Sequence, residues 1–477
     1  MMADSALGLL RPDTLDSQDG IGVINPADGG LIAHARLYDI GEITAMIEAA
    51  DAARHGWAAR TAKDRSDVLR AWYDLIVDHA EELALLMTLE SGKPLAEARA
   101  EVKYGAAFIE WFSEEARRAY GEVIPSFATD KRVLTLRQPV GTCAAITPWN
   151  FPLAMITRKV APALAAGCSI IVKPADATPL SALALETLAH RAGVPDTLFR
   201  VAPARNSPAA GDLFCTHPLV RKISFTGSTE VGKVIMAKAA GQVKRLSLEL
   251  GGNAPFIVFD DADLDRALAG ALASRFRNAG QTCVCANRFL VQAGIHDAFV
   301  ERLAAAVAQL RVDNGINASS TMGPLIDDRA VKRVSGLVAR AIEEGAVRVG
   351  GSATAPEAGS FHAPVVLAGV TAEMAIASQE IFGPVAPVLR FEDEAEALRI
   401  ANDTPFGLAA YIFTTDAARQ WRMMEGLEYG MVGVNDGLIS TEVAPFGGVK
   451  ESGFGREGSS HGLADYMNVK YCLVGGL

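Results

Sequence analysis

LAAGCSIIVKP (164–174), LSALALETLAHRAG (180–193), KISFTGS (222–228), STEVGKVIMAKAAG (228–241) and RLSLELGGNAPFIVF (245–259) follow one another in a single stretch of the chain. The first is rich in β-branched residues and reads as a buried strand. The second has helical spacing and a closing glycine, Gly193. The third reads as a strand, the fourth as a helix, the fifth as a strand again. This β-α-β-α alternation predicts a parallel sheet with helices on both faces, an α/β fold.

Upstream, RVLTLRQPVGTCAAIT (132–147) is short-period and strand-like. Before it, EITAMIEAADAARHGWAA (42–59) and RSDVLRAWYDLIVDHAEELALLMTLESG (65–92) carry apolar residues at helical spacing, with Gly92 and Pro94 ending the second run. Downstream, a second alternating region spans about 252–460, with a helix in DAFVERLAAAVAQL (297–310) and strands in FHAPVVLAGV (361–370) and VAPVLRFED (385–393). The tail ADYMNVKYCLVGGL (464–477) is apolar and β-prone, so an intersubunit strand is expected there.

At 477 residues the chain exceeds one hydrophobic core, which predicts two or more domains. Half of it is hydrophobic and 21% charged, the balance of a packed globular enzyme and not of a disordered or fibrous chain. A net charge of −11 argues against nonspecific nucleic-acid binding but leaves room for a small anionic substrate. The cysteines, Cys143, Cys168, Cys215, Cys283, Cys285 and Cys472, lack paired metal-site spacing. Free thiols, a reducing compartment and no metal are expected. The first residues show no basic segment followed by an apolar run, and no stretch has ~18 uninterrupted apolar residues. Neither a secretory leader nor a membrane span is expected, and a cytoplasmic location is.

Seven segments carry chemistry-bearing residues. In FRNAGQTCVCANR (276–288), Cys283 follows Gly280 and Gln281, and TCVCANR is too polar for a simple core strand. Glycine permits the close backbone approach that a reactive sulfur needs; the alternative is a buried structural thiol. In LELGGNAPFIV (248–258), Glu249 is a carboxylate in an apolar strand, so it meets a cavity or a structural cation. In ITPWNFPLAMITRK (146–159), prolines on both sides of Trp149-Asn150-Phe151 fix an irregular backbone. Asn150 there can donate to an oxyanion or cap a turn. In IIVKPADATP (170–179), Lys173 ends a strand where such sheets place nucleotides. FTGSTEVG (225–232) is a strand-to-helix turn whose helix N-terminus can face a pyrophosphate. EIFGPV (380–385) and PFGGVKESGFGREG (445–458) complete the set.

In combination and in this order, PWNFP, LELGG, GQTC and EIFGP closely resemble the aldehyde dehydrogenase superfamily from about residue 20 onward. The resemblance implies Cys283 as nucleophile, Glu249 as general base, and Asn150 with the Cys283 N–H as oxyanion hole. It implies Lys173 at the cofactor ribose and Gly227, Ser228 and Gly232 at the pyrophosphate turn. Glu380 and Phe382 would sit at the nicotinamide end, with Pro148 and Trp149 also lining the cofactor site. A thiol that must ionise predicts an electropositive setting for Cys283. A silent protein on this scaffold tends to lose the nucleophile or oxyanion residues, and acyl-CoA-forming relatives often lack the glutamate; Cys283, Glu249 and Asn150 are all present.

Within the superfamily, residues 148–175, 276–288, 435–459 and the tail are most similar to succinate-semialdehyde dehydrogenases. Arg158, Arg277 and Ser440 match that family's distal-carboxylate ligands, and guanidinium suits a carboxylate. Each arginine taken alone could instead be a surface charge or a structural ion pair. Glutarate semialdehyde, or a broader range of aldehydes, is the alternative substrate, since one methylene is worth only ~1–3 kcal/mol. Asp176 stands where related enzymes often carry glutamate or, when they prefer NADP, a small neutral residue. A carboxylate there repels a 2′-phosphate, so NAD is favoured over NADP. Cys285, two residues from Cys283, is a candidate partner for a reversible disulfide, or simply packs in its loop. The implied architecture is a cofactor domain (1–120 and 140–251), a catalytic domain (252–461) and a bridging β-element (121–139 and 462–477), assembled as a homodimer or homotetramer.

Overall fold

The structure, a computed structural model, describes residues 2–350 and 354–477. Its six-stranded sheet has the order Gly453–Phe454, Arg245–Glu249, Val220–Thr226, Thr142–Ile146, Ser169–Lys173, Phe199–Val201. All neighbours are parallel except the short edge strand Gly453–Phe454. The chain moves outward from Thr142–Ile146 in one direction, then returns to Val220–Thr226 on the other side. That reversal opens a crevice at the strands' carboxyl ends, where α/β sheets bind ligands.

Successive strand residues face opposite layers. Cys143, Ala145, Ile170 and Val172 pack on helices contributing Trp72, Leu86, Phe108 and Leu164. Ala144, Ile171, Ile223 and Phe225 pack on Ile43, Ile47, Phe214 and Ile235. The helices start where their caps direct. Asp39 with Glu42 forms a capping box on Ile40–Ala58, and Thr61 with Asp64 forms one on Ala62–Asp78. The helical run of 65–92 breaks at His79, giving Ala62–Asp78 and Ala80–Ser91. Past Gly92 and Pro94 comes Leu95–Glu115.

The seven-stranded sheet runs Val347–Val349, Val365–Ala368, Val385–Phe391, Ala286–Gln292, Ala254–Val258, Ala409–Phe413, Met431–Val434, parallel except at its first strand. Phe256 stacks on Phe413 at 4.7 Å in its core. A three-stranded sheet stands apart: Met467–Gly475 pairs along Lys131–Pro139, which pairs with Val123–Ile124.

Three sequence readings need correction. RLSLELGGNAPFIVF is two strands, Arg245–Glu249 and Ala254–Val258, in different sheets. Residues 247–259 are buried throughout, so the buried run is continuous across Leu250–Asn253 although the chain changes sheets there. In LAAGCSIIVKP, residues 164–166 end the helix Ala154–Ala166, and the strand begins only at Ser169. Gly453–Phe454, placed with the catalytic part by sequence, lies on the edge of the six-stranded sheet.

Candidate active site

Cys283 lies between a tight turn and the strand Ala286–Gln292. Asn278, Ala279 and Gly280 all have positive φ, at 50°, 52° and 76°. A Cβ on Gly280 would sit 2.3 Å from the Gly383 carbonyl oxygen, so only glycine fits. Glu97 accepts the Asn278 N–H at 2.8 Å and pins the turn. The Cys283 side chain is half-buried and lines a cavity of about 270 Å³ together with Asn150, Glu249, Thr226, Glu380 and Phe382.

Asn150 is held at both ends. Its carbonyl accepts from Lys93 Nζ at 2.8 Å and from Asn278 Nδ2 at 2.9 Å, and its amide donates to the Gln281 carbonyl at 2.9 Å. An amide nitrogen has two N–H groups, so one is left for a ligand. Lys93 is ion-paired with Glu101, whose other oxygen accepts from the N–H groups of Leu153 and Ala154. Buried charge thus fixes the start of the helix that carries Met155 and Arg158.

Glu249 ends its strand with both carboxylate oxygens buried and unpartnered among the described residues. Burial, helped by the nearby Glu457 carboxylate, pushes its pKa well above the usual carboxylate range. Glu457 moves the other way, held down by Lys159 and Arg158. The Cys283 thiol is pushed up to about 12 by burial and by the Glu380 carboxylate. The electropositive setting expected from the sequence is therefore not what surrounds the sulfur: Arg158 contributes, but desolvation and the carboxylate outweigh it. Cys285 is buried with its thiol 3.6 Å from the Arg275 carbonyl, so a bridge to Cys283 requires that contact to open.

Glu380 accepts the Gly252 N–H at 3.1 Å, and burial raises its carboxyl to about 7. Phe382 meets Trp149 edge-on at 5.5 Å. Arg333 donates to the carbonyls of Glu380 and Phe382, and Asn287 holds the same loop through Gln379 and Ile381. Neither Arg333 nor Asn287 stood out in the sequence, since their work is done on backbone groups. At the crevice, Lys173 Nζ meets Asp176 at 2.7 Å, and Ser207 donates to both Asp176 oxygens. Ser228 caps the helix Thr229–Ala239. Gly232 is inside that helix and not in the turn; a Cβ there would strike Leu250 at 2.5 Å. Another cavity, of about 340 Å³, lies between the helices Ser207–Thr216 and Thr229–Ala239 and is lined by Lys173 and by half-exposed Val231 and Val234.

Arg277 and Ser440 line a separate cavity of about 210 Å³ with Lys93, Glu97, Tyr104 and Phe151. Phe151 faces this cavity and its neighbour Asn150 the first, so the turn Pro148–Pro152 divides them. Arg158 does not line the Arg277 cavity. It is 2% exposed, paired with Glu457 at 2.8 Å and stacked on Phe446 at 4.0 Å. Its Nε has no hydrogen-bond partner among the described residues. Tyr104 and Glu101 escaped the sequence reading because they sit inside a helical amphipathic pattern, and Lys93 because it lies in the short break at 92–94 between two helices.

A crevice at the reversal of a parallel sheet, ending on a thiol, is that of a nucleotide-dependent oxidoreductase. The chain belongs to the aldehyde dehydrogenase family, whose model matches residues 14–472. It is 54% identical to a glutarate-semialdehyde dehydrogenase of Pseudomonas aeruginosa, covering 97% of this chain and 95% of the relative. It is 53% identical to the NADP(+) succinate-semialdehyde dehydrogenase of Escherichia coli, covering 98% and 97%. A crystal structure of succinate-semialdehyde dehydrogenase from Burkholderia pseudomallei superposes with a TM-score of 0.95 at 51% identity, covering 98% of each chain.

Proposed function

We propose that this chain oxidises succinate semialdehyde to succinate with a nicotinamide dinucleotide as oxidant. The observation that carries the reading is Arg277. It is a cation that lines, together with Ser440, the cavity beside the thiol's; its buried Nε is unpartnered and it makes no ion pair among the described residues. An unpaired guanidinium in such a place asks for an anion from outside the chain. Glutarate semialdehyde is the second reading, favoured by the Pseudomonas relative's name.

The thiolate of Cys283 attacks the aldehyde carbon, and the oxygen that becomes negative meets the free N–H of Asn150 and the Cys283 N–H. Glu249, its own pKa raised, lines the same cavity and is placed to act as base in the hydrolytic step. When bound, the nicotinamide supplies the acceptor for the hydride leaving the tetrahedral carbon, so that a thioester is left on Cys283. Glu249 then deprotonates the water that hydrolyses it, and the carboxylate leaves. The glutamate's presence favours hydrolysis over acyl transfer to coenzyme A.

The residues present fit a dinucleotide. The buried hydroxyl of Thr226 has no partner among the described residues, and the valine-lined cavity offers an apolar slot for a base. Lys173, Asp176 and Ser207 would hold the ribose, and Gly227, Ser228 and the following helix N-terminus the pyrophosphate. Glu380, Phe382, Pro148 and Trp149 would hold the nicotinamide end. Asp176 favours NAD over NADP, in contrast to the cofactor in the E. coli relative's name. We divide the chain as the sequence suggested, apart from Gly453–Phe454, and assign the three-stranded sheet to assembly of a dimer or tetramer. Free cysteines suit the cytoplasm.

The test compares succinate semialdehyde with butanal. Arg277→Ala should lower kcat/KM for the semialdehyde about ten- to a hundredfold and spare butanal. Arg158→Ala also strips Glu457 of a partner, so it should cost about 3 kcal/mol of stability as well. A wild type indifferent to the carboxylate would refute the reading.

A further inference from the structure

The cavity behind Phe151 holds a phenol that the chemistry above leaves unused. Tyr104, on the helix Leu95–Glu115, lines it together with Arg277 and Ser440. Its hydroxyl is buried and has no hydrogen-bond partner among the described residues. Ser440 stands next to it, and the charges of Arg158, Arg277 and Glu457 all act on it. Glu97, a carboxylate lining the same cavity, is engaged by the Asn278 N–H.

Packing holds the phenol in place. At the next residue, Gly105, a Cβ would strike Leu153 Cδ2 at 2.3 Å and Ala154 Cα at 3.2 Å. Only a glycine lets this helix lie so close to the one that carries Arg158. The Tyr104 ring also meets Phe108 edge-on at 5.1 Å, which fixes its plane. A tyrosine kept only for its ring would do as well as phenylalanine. A buried hydroxyl without a partner is costly, and such groups are normally satisfied.

We propose that Tyr104 is a specificity-determining residue whose hydroxyl donates to the distal carboxylate of the substrate, beside Arg277 and Ser440. The proposal rests on the semialdehyde reading. Burial raises the phenol above its usual range, so it stays an O–H donor and never becomes a second anion facing the carboxylate. A hydrocarbon end accepts nothing from it, so the bond separates charged from uncharged aldehydes.

Tyr104→Phe keeps the ring and its packing. It should lower kcat/KM for succinate semialdehyde about ten- to a hundredfold, mainly through KM, and leave butanal nearly unchanged. Without turnover, succinate should protect Cys283 from alkylation less well in this variant than in wild type. Wild-type behaviour of Tyr104→Phe on both counts, while Arg277→Ala loses selectivity, would overturn the role of Tyr104 and leave the substrate reading standing. Equal losses on both aldehydes would also overturn it, by marking a structural role. A wild type with no preference for the semialdehyde would remove the substrate reading, and Tyr104's part with it.

Discussion

Cys283 and Glu249 are both biased toward their protonated forms, and they line one cavity. A base with a raised pKa works only when deprotonated, so its activity is lost as pH falls through that raised value. Steady turnover should therefore decline on acidification at a pH above the ordinary carboxylate range. Glu249→Gln removes the base without changing shape. It should give a burst of reduced cofactor followed by a steady rate at least about a hundredfold lower, without the acidic limb. Stopped-flow absorbance reads both phases, and equal loss of burst and steady rate would show that Glu249 is needed before hydrolysis. Cys283→Ala should abolish both. At this scale the sequence offered the thiol, the amide and the carboxylate, because each sits in a distinctive short motif. It did not offer the sulfur's environment, which depends on Glu380, about a hundred residues away in the chain. Nor did it reveal that Arg158 spends its charge on Glu457.

The elements were legible wherever periodicity and caps agree. Ser228 caps the helix it announces, and Thr61 with Asp64 opens its own. They were not legible where two buried strands abut. Residues 247–259 are buried without a break, so no exposed turn marks where the chain leaves one sheet for the other between Arg245–Glu249 and Ala254–Val258. Glu249 ends the first of these strands and, at the start of that passage, lines one cavity with Cys283. The loop after Ser169–Lys173 carries its own prediction. Asp176 is fastened by Lys173 and Ser207, which holds its carboxylate at the strand end instead of leaving it to swing. Asp176→Ser removes the negative charge and releases the lysine for a 2′-phosphate. The ratio of kcat/KM for NADP to that for NAD should rise about tenfold or more. An unchanged ratio would place the choice of cofactor elsewhere.

For the molecule as a whole, the sheets follow from the β-α alternation, but the tail's use needs the surface. Met467–Gly475 is the outermost strand of its three-stranded sheet, so one row of its backbone N–H and C=O groups is unpaired within the chain. Val469 and Tyr471 are 59% and 60% exposed, and Val123 is 84% exposed on the opposite edge strand. A monomer leaving such an edge open invites pairing with other chains, and natural proteins cover it. A second copy of the chain is the covering that fits a closed assembly. Val469→Glu combined with Tyr471→Glu puts charge on these exposed positions without touching the core, so the protomer should fold. Light scattering should give a wild-type mass that is a multiple of 50.3 kDa, and a mass near 50.3 kDa for the double variant at micromolar concentration. Since both cavities of the proposed active site are lined by one chain, the separated protomer should still bind cofactor. A wild type of monomer mass, or a double variant that stays assembled, would show that the tail strand is not the interface.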